Sequence, residues 1–406
     1  MFFNRLFLLL ILVISVGFFN IKYLSLSQIR LIQFIMVGLM LVGVLARFFY
    51  GTQTKREKKF TLPIIFILTG VFLSSITAYV YHHQGFFITF WAQAPMYWFV
   101  FYFFLSVNNY GKEELEKYLL IFAVLYSIIY VIQFFLYPTI LFDVRIDDDP
   151  ARNTIRIFLS GSAFLVIGYY LMLNKFFNTN KLIYLLPIML FFVVTVLQAS
   201  RQHVFSMLVV TLYAIIFTRR IKSRGLIIFF ITVSIIPLFY IFQDVINSLV
   251  ELSTSATKGT DASANARERA LKFFLNDFFP SNSAYILGNG ADHMRSPYGL
   301  KMTMLRSFHF YLSDLGLIGE YIRYGMFFLV GAILIIVKLI RSKTPPELNY
   351  IKYYALSILI LIPLASSFTS ASSIAVLCII FYLLDLESGK KNKISQLAAG
   401  GPKINV

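Results

Sequence analysis

The side chains of this sequence that could do chemistry are of two kinds, proton acceptors and anion binders. The candidate proton acceptors are His309 and Asp314, and the candidate anion binders are Arg201, Arg267 and Arg269. A general base needs reach and a suitable pKa, and a guanidinium offers a planar fork that matches phosphate. Together the two kinds suit chemistry at a hydroxyl beside a bound phosphate.

Three of these candidates also have ordinary structural explanations. His309 can be an aromatic side chain at the membrane surface, and Asp314 can cap the helix that follows it. Arg201 lies in the short turn QASRQH between two apolar runs. An arginine there either extends toward lipid headgroups or faces a polar cavity, and the local sequence leaves both open.

Arg267 and Arg269 belong to a predicted helix. Asn265 and Glu268 form a capping-box pattern, which predicts a helix over 266–278 that ends before a proline. The two arginines then fall in the first turn, where cations oppose the helix dipole. Either they are solvated or paired with nearby acidic residues, or a bound anion reconciles them with the free amides of the helix start.

All of the candidates except Arg201 lie in a long segment between apolar spans, from about 247 to 320. A connection of this length is uncommon unless it is functional or disordered. It carries seven basic and seven acidic residues, so it is not a general basic patch. The LGNG sequence at 287–290 indicates a tight turn. We therefore expect a folded, helical external loop that positions the candidate residues.

The elements on either side of this loop are predicted membrane spans. Of the 406 residues, 58% are hydrophobic and only 14% are charged, and apolar runs long enough to cross a bilayer recur along the chain. The fold class is therefore an all-α polytopic membrane protein with about twelve spans, or eleven if the last two form one interrupted segment. The predicted spans are 6–20, 29–47, 61–81, 86–106, 118–137, 157–174, 182–198, 203–218, 226–246, 321–340, 351–365 and 374–386. The chain thus divides into nine spans in 1–246, the loop 247–320, three spans in 321–386 and a tail, 387–406.

Lysine and arginine orient the chain. The formal charge is +17, and basic residues concentrate in four segments, 47–59, 219–224, 338–352 and the tail. With twelve spans all four fall on one side, and the positive-inside rule makes that side cytoplasmic. Both termini are then cytoplasmic and the long loop is periplasmic, in a bacterial inner membrane. This topology accounts for the charge without nucleic acid as a partner.

Several classes of chemistry have no motif in the sequence. There is no HExxH, paired CxxC, GxSxG or Walker loop, and the single cysteine, Cys378, excludes a disulfide within the chain. We therefore expect no metal, no nucleotide and no other cofactor.

The chain resembles the O-antigen polymerase and ligase superfamily of membrane proteins. The likeness covers the whole chain in architecture, with ten to twelve spans and a large late loop. The motifs are Ala-Ser-Arg at 199–201, Arg267 and Leu271 at R-x-x-x-L spacing, Leu-Gly-Asn-Gly at 287–290, and the segment HFYLSDLGLIGEYIRYG from His309 to Gly325.

The resemblance implies a metal-independent glycosyltransferase related to the C-type architecture. Such enzymes use a polyprenyl-pyrophosphate-linked oligosaccharide as donor, and a hydroxyl of an acceptor sugar attacks its anomeric carbon. The resemblance implies that arginines bind the pyrophosphate, with Arg201 and Arg267 as the first candidates and Arg269 and Arg306 as the next. It implies that a side chain acts as general base, with His309 as the first candidate and Asp314 as the second. A separate chain-length regulator is the protein partner that it implies.

Two alternatives accompany the polymerase interpretation. A ligase of the same superfamily would move finished glycan onto lipid A core or protein, but such ligases place ten residues between a histidine and a glycine. His309 is followed by six residues before Gly316 or by nine before Gly319, which favours polymerase. A flippase for lipid-linked glycans is the alternative from another class, and it would make no bond.

Overall fold

A computed structural model describes residues 2–49, 58–142, 144–149, 154–198, 200–217, 262–363, 365 and 368–399. These are mostly helical, with one antiparallel hairpin of strands β1 (Arg145–Asp149) and β2 (Thr154–Phe158). The helices are α1 (Phe2–Ser15), α2 (Leu26–Phe49), α3 (Thr61–His82), α4 (Phe86–Ala92), α5 (Val100–Asn108), α6 (Lys112–Leu136), α7 (Ser162–Thr179), α8 (Leu185–Leu197), α9 (Arg201–Phe217), α10 (Ala262–Asn276), α11 (Asn282–Leu287), α12 (Pro297–Ser307), α13 (Gly316–Arg341), α14 (Asn349–Leu361) and α15 (Ala371–Ala399). Short 3₁₀ turns lie at Gly17–Asn20, Ala94–Phe99, Leu182–Tyr184, Leu312–Leu315 and Pro346–Leu348.

Five helical segments of the described chain are long and apolar enough to cross a membrane. They are Leu26–Phe49, Thr61–His82, Lys112–Leu136, Leu312–Arg341 and Ala371–Gly389. A sixth results if α4 and the helix that follows it form one broken span, bent by 60°. Three further apolar helices, Asn4–Ser15, Leu182–Leu197 and Gln202–Phe217, are shorter. The described part of the chain is thus mostly helical, as expected of an all-α membrane protein, and it yields five or six candidate spans where twelve were predicted.

Three predicted elements differ from the structure. The span 157–174 merges strand β2 with α7, because the apolar strand TIRIF continues into the apolar helix without a polar break. The span 86–106 is not one straight helix, since it bends ahead of Pro95. The helix predicted over 266–278 begins earlier, at Ala262, so Asn265 lies inside it and the capping-box prediction is wrong. The predicted span 226–246 lies outside the described residues.

Helices α3 and α13 approach each other closely through two glycines. A Cβ added to Gly70 would lie 2.7 Å from the backbone nitrogen of Phe328, and one added to Gly331 would lie 2.7 Å from the carbonyl oxygen of Pro63. Within a membrane the hydrophobic effect does not drive helices together, so close packing must do so. Small residues permit that packing because they let the two backbones approach each other. In this pair α13 carries Arg323 near one end, just before a break at Gly325, and Lys338 near the other.

The two ends of the bundle differ in their basic residues. At one end, which we call the lysine end, Lys59, Lys338, Arg341 and Lys343 line a shared pocket. Both ends of the described chain also lie there: the Tyr110 hydroxyl donates to the Asn4 carbonyl at 3.1 Å, and the Tyr382 hydroxyl donates to the Tyr110 carbonyl at 2.8 Å. The opposite end holds the starts of α2, α13 and α15.

Helices α10 to α12 have a small core of their own at that opposite end. Apolar side chains of this segment pack against the start of α13, and the buried set is Ala270, Phe274, Phe278, Tyr298, Met302, Leu312, Leu315 and Ile322. Eight buried side chains cannot stabilise an independent domain, so the segment depends on the bundle for its shape. It is therefore a folded cap on the helices.

Candidate functional site

A cavity of about 720 Å³ opens at the end of the bundle away from the lysine end. Its walls come from six places in the chain: the start of α2, the bend after α4, the segment 291–295, α12, α13 and Thr369, just before α15. Gly325, two residues after Arg323 of this cavity, interrupts α13, and Lys338 at the lysine end lies thirteen residues beyond it, which at the helical rise is about 20 Å. The cavity therefore lies near one surface of the bundle and not at its middle.

Four arginines line this cavity, and each comes from a different element. Arg30 lies in the first turns of α2, Arg295 follows the 287–290 turn, Arg306 is near the end of α12 and Arg323 is on α13. Asp292 is the one acidic residue among the described lining residues. Since four guanidinium groups face one carboxylate, the cavity attracts anions. We call it the arginine cavity.

Two of these arginines are held by carboxylates. Arg306 donates to Asp292 at 2.5 Å, and Arg323 donates to Glu320 at 2.9 Å. Glu320 is fully buried, and its second oxygen, Oε2, has no hydrogen-bond partner among the described residues. A buried carboxylate is costly without a cation beside it, so Glu320 fixes the guanidinium of Arg323 in place. Within the described chain no ion pair engages Arg30 or Arg295, whose charges remain available to a ligand.

Arg323 is held beside the cavity by close backbone contact between the 287–290 turn and α13, at Gly288 and Gly325. The amides of Asn289 and Gly290 donate to the carbonyls of Ile322 and Arg323, at 3.1 and 2.7 Å. Gly288 and Gly325 have positive φ angles of 82° and 75°, and a Cβ on either would lie 2.5 Å or less from the opposing backbone. Only glycine fits both positions, so the 287–290 turn joins the cap to α13 beside the cavity.

Gln84 fixes the segment that carries Asp292, His293 and Arg295. Its side-chain nitrogen donates to the Ala291 carbonyl at 2.8 Å, and its oxygen accepts from the His293 amide at 3.0 Å and from Ser296 Oγ at 2.6 Å. Gln84 is fully buried, and Ser296 also caps α12 by accepting from the Gly299 amide. The segment is therefore ordered by hydrogen bonds before any ligand arrives.

His293 senses the positive charge of the cavity. Partial burial lowers the pKa of His293 below its usual value, and the charges of Arg30 and Arg295 lower it further, while Asp292 acts in the opposite direction. The Arg295 amide donates to its Nδ1 at 3.3 Å. Nδ1 is thus an acceptor, and in the neutral ring the proton lies on Nε2. His293 is therefore suited to donate to an anion.

Of the sequence-predicted residues, Arg306 lines the cavity. Arg267 and Arg269 lie on α10, His309 is exposed with a φ of 62°, and Asp314 is half-buried in the 3₁₀ turn before α13. None of these four is among the lining residues. Because α10 begins at Ala262, the argument that placed Arg267 and Arg269 in a first helical turn does not hold.

Arg201 begins α9, and its side chain lies outside the described residues. The anion-binding role predicted for it therefore stays a prediction. The role of His309 or Asp314 as a proton acceptor also stays a prediction. Neither side chain lines the arginine cavity.

Sequence reasoning missed five residues of the arginine cavity: Arg30, Asp292, His293, Arg295 and Arg323. Two signals point to some of them. Arg30 and Arg47 are the two charged residues in the 24-residue helix α2, one near each end. Glu320 and Arg323 are spaced to pair on one helical face, inside a segment otherwise apolar.

The described residues contain no group of three or more His, Cys, Asp or Glu side chains arranged to hold a metal ion. Comparison of the chain with models of protein families, with curated proteins and with solved structures finds no match. The geometry alone therefore carries the functional argument. It gives a candidate anion site at one end of a helical bundle, with two arginines, Arg30 and Arg295, outside any ion pair of the described chain.

Proposed function

We propose that this protein is a membrane glycosyltransferase that polymerises polyprenyl-pyrophosphate-linked oligosaccharide repeat units, as in O-antigen or a similar surface polysaccharide. The observation that carries the proposal is the arginine cavity, where four guanidinium groups converge next to apolar helices. Together with the sequence resemblance, it supports an all-helical enzyme of C-type glycosyltransferase architecture, acting on undecaprenyl pyrophosphate-linked donors.

The reaction needs a site for a diphosphate that gains charge. An acceptor sugar hydroxyl attacks the anomeric carbon of the donor, and the bond to the pyrophosphate breaks. Charge then collects on the departing pyrophosphate, so fixed guanidinium groups stabilise the transition state more than the ground state. Arg30 and Arg295 are available to bind the pyrophosphate directly. Arg306 and Arg323, oriented by Asp292 and Glu320, complete its surroundings.

The lipid tail of the donor has an apolar path into the cavity. Leu26, Trp91, Pro95 and Met96 line the wall formed by α2 and by the bend after α4. Leu26 is exposed on the bundle surface, so this wall continues outward toward lipid. Beyond Arg30, toward the middle of α2, Leu31, Ile35 and Leu39 are exposed, so a polyprenyl chain lying along this face would leave its pyrophosphate at Arg30, near the start of the helix.

The lysine end indicates which side of the membrane the cavity faces. Lys59, Lys338, Arg341 and Lys343 lie at the end opposite the cavity, and the positive-inside rule assigns them to the cytoplasm. The arginine cavity then faces the periplasm of the inner membrane, where the finished repeat unit is presented. Both termini are cytoplasmic in this orientation.

A gene deletion, scored by the length of the surface glycan, tests the proposal. A polymerase deletion should leave glycan with a single repeat unit. A ligase deletion would instead leave long polymer on the polyprenyl carrier. Normal long chains on the surface of the deletion strain would contradict the proposal.

A purified assay separates polymerisation from flipping. Full-length protein in detergent is given lipid-linked repeat units extracted from the deletion strain, with no energy source, and products are resolved by length. We expect longer lipid-linked glycan from the wild type and from Arg341→Ala, a control arginine at the lysine end. If the purified wild-type protein does not lengthen the glycan, the enzymatic assignment fails and the flippase alternative remains.

A further inference from the structure

A second cavity, of about 260 Å³, lies among the ends of α7, α9, α14 and α15. Its lining includes four serines and a histidine but no lysine, arginine, aspartate or glutamate among the described residues. We call it the neutral cavity. Thr369 lines both this cavity and the arginine cavity, so the two lie next to each other.

His203 is the titratable side chain that stands out in the neutral cavity. Its Nδ1 lies 2.6 Å from Ser200 Oγ, and among the described residues no hydrogen bond engages its Nε2. When Nδ1–H donates to Ser200, Nε2 carries a lone pair and can accept a proton. His293 in the arginine cavity has the opposite arrangement, because its Nδ1 accepts from the Arg295 amide.

Hydroxyl groups supply the remaining polar surface of the neutral cavity. Ser357 lies 3.2 Å from Ser206, and Ser370 donates to Ser373 at 2.8 Å while capping the start of α15. These bonds hold the hydroxyls in fixed positions, where each can still accept from a ligand. The ligand that fits is uncharged, bears several hydroxyls and is about the size of one sugar ring, since drug-sized ligands occupy cavities from about 300 Å³ upward.

We propose that the neutral cavity binds the terminal sugar of the acceptor glycan and that His203 is the base that takes its proton. This inference rests on the proposed function and adds the second half of the site. The acceptor oxygen forms the new bond to the donor's anomeric carbon, and its proton passes to Nε2 of His203. The bond from that carbon to the pyrophosphate oxygen breaks, and the polyprenyl pyrophosphate leaves with the electron pair into the arginine cavity.

The division of charge between the two cavities supports this arrangement. A diphosphate is held best among guanidinium groups, whereas a base must stay neutral until the hydroxyl arrives. Both needs are met when the base lies in a cavity that has no cations or carboxylates among its described lining residues but shares Thr369 with the arginine cavity. Ser200 then accepts from Nδ1–H and stabilises the imidazolium that forms.

The test measures acceptor kinetics with purified full-length protein. The donor is the lipid-linked repeat unit from the deletion strain, and the acceptor probe is the same oligosaccharide released from its carrier by mild acid. His203→Gln keeps a polar group near Nε2 but removes the base, and His203→Asn keeps the contact to Ser200. Ala163→Leu fills part of the neutral cavity, because Ala163 lines it. The matched control is His83→Asn, since His83 is exposed and lines neither cavity.

We expect both His203 variants to lower kcat by about 100-fold or more and to lose the acidic limb of the pH–rate profile. Ala163→Leu should raise KM for the acceptor about tenfold. Inhibition by inorganic pyrophosphate, which reports an intact fold and arginine cavity, should stay at the wild-type value in all variants, and His83→Asn should match the wild type throughout.

A wild-type rate and pH profile in both His203 variants would overturn the inference, and so would an unchanged acceptor KM in Ala163→Leu. In both cases the wild type still elongates the glycan, so the proposed function stands. If the wild type itself does not elongate, the proposed function fails first.

Discussion

The two ends of the bundle carry basic residues in different ways, and under the proposed function the contrast separates charge that binds a ligand from charge that orients the chain in the membrane. At the end that holds the arginine cavity, arginines from four elements line that cavity, and buried or half-buried carboxylates hold two of them. At the lysine end, basic side chains at the ends of α3 and α13 line an open pocket, and Lys338 donates to the Lys59 carbonyl.

The difference follows from the chemistry of the two side chains. Lysine is a flexible point charge that suits attraction to headgroups and retention in the cytoplasm. Arginine presents several donors in one plane, so convergent arginines recognise phosphate by geometry as well as by charge. A composition count would place all of these residues in one class, and their convergence is visible only in three dimensions.

The largest expected effect is at Arg306. Arg306→Ala removes a guanidinium from the arginine cavity and leaves Asp292 there without its partner, so the cavity loses a positive charge and exposes a negative one. We expect elongation of lipid-linked repeat units to fall by about 100-fold or more, the range found when a transition-state donor is lost. The double variant Arg306→Ala with Asp292→Asn should recover part of the activity, because it also removes the repelling carboxylate.

A smaller loss is expected from Arg323→Lys. Lysine keeps the charge beside Glu320 and so keeps the buried carboxylate compensated, but it loses the planar fork. We predict about a tenfold fall in kcat with little change in thermal stability, measured by elongation and by thermal unfolding in the same detergent. A wild-type kcat would show that Arg323 contributes charge alone.

His293 should report the occupancy of the arginine cavity through its pKa. Burial and the charges of Arg30 and Arg295 lower the pKa of His293 in the empty cavity. A bound diphosphate neutralises those charges, so pyrophosphate should raise that pKa toward the ordinary value of about 6.5. The chain has five histidines, so NMR of ¹³C-labelled histidine, assigned with His293→Asn, can follow each one. An unchanged pKa at saturating pyrophosphate would place the anion elsewhere.

The smallest effect is expected at the lysine end. Lys343→Gln removes one charge from the pocket opposite the arginine cavity. We predict an elongation rate within about twofold of the wild type and an unchanged affinity for pyrophosphate, since the charge is far from the cavity and screened by salt. A loss as large as that of Arg306→Ala would erase the distinction between the two ends.

The sequence predicted the membrane helices better than it predicted the site. Helices α2, α3 and α6 were located because the bilayer fixes the length of an apolar span, which is a local property. The hairpin was not predicted, because its second strand, TIRIF, runs into the apolar helix that follows it without a polar break. Short apolar helices, such as the 13-residue α14, were predicted as crossings on composition alone.

The site was harder to predict, because its residues come from distant parts of the chain. Arg306 was predicted to bind an anion and does line the cavity, but Arg30 and Arg323 join it there only through the packing of α2, α12 and α13. The LGNG turn was located, while its pairing with Ile322 and Arg323 depends on a close backbone approach at Gly325. Neither the convergence nor the approach leaves a periodic pattern in the sequence.

The central claim is that the arginine cavity opens on the external face and holds the donor's pyrophosphate. Met294 lines the cavity and is 73% exposed, and the chain's one cysteine, Cys378, is buried. In a protein carrying Met294→Cys and Cys378→Ala, a membrane-impermeant maleimide should label the introduced thiol in intact spheroplasts, and added pyrophosphate should slow the labelling severalfold. Labelling that requires permeabilised membranes, or that pyrophosphate leaves unchanged, would contradict the account.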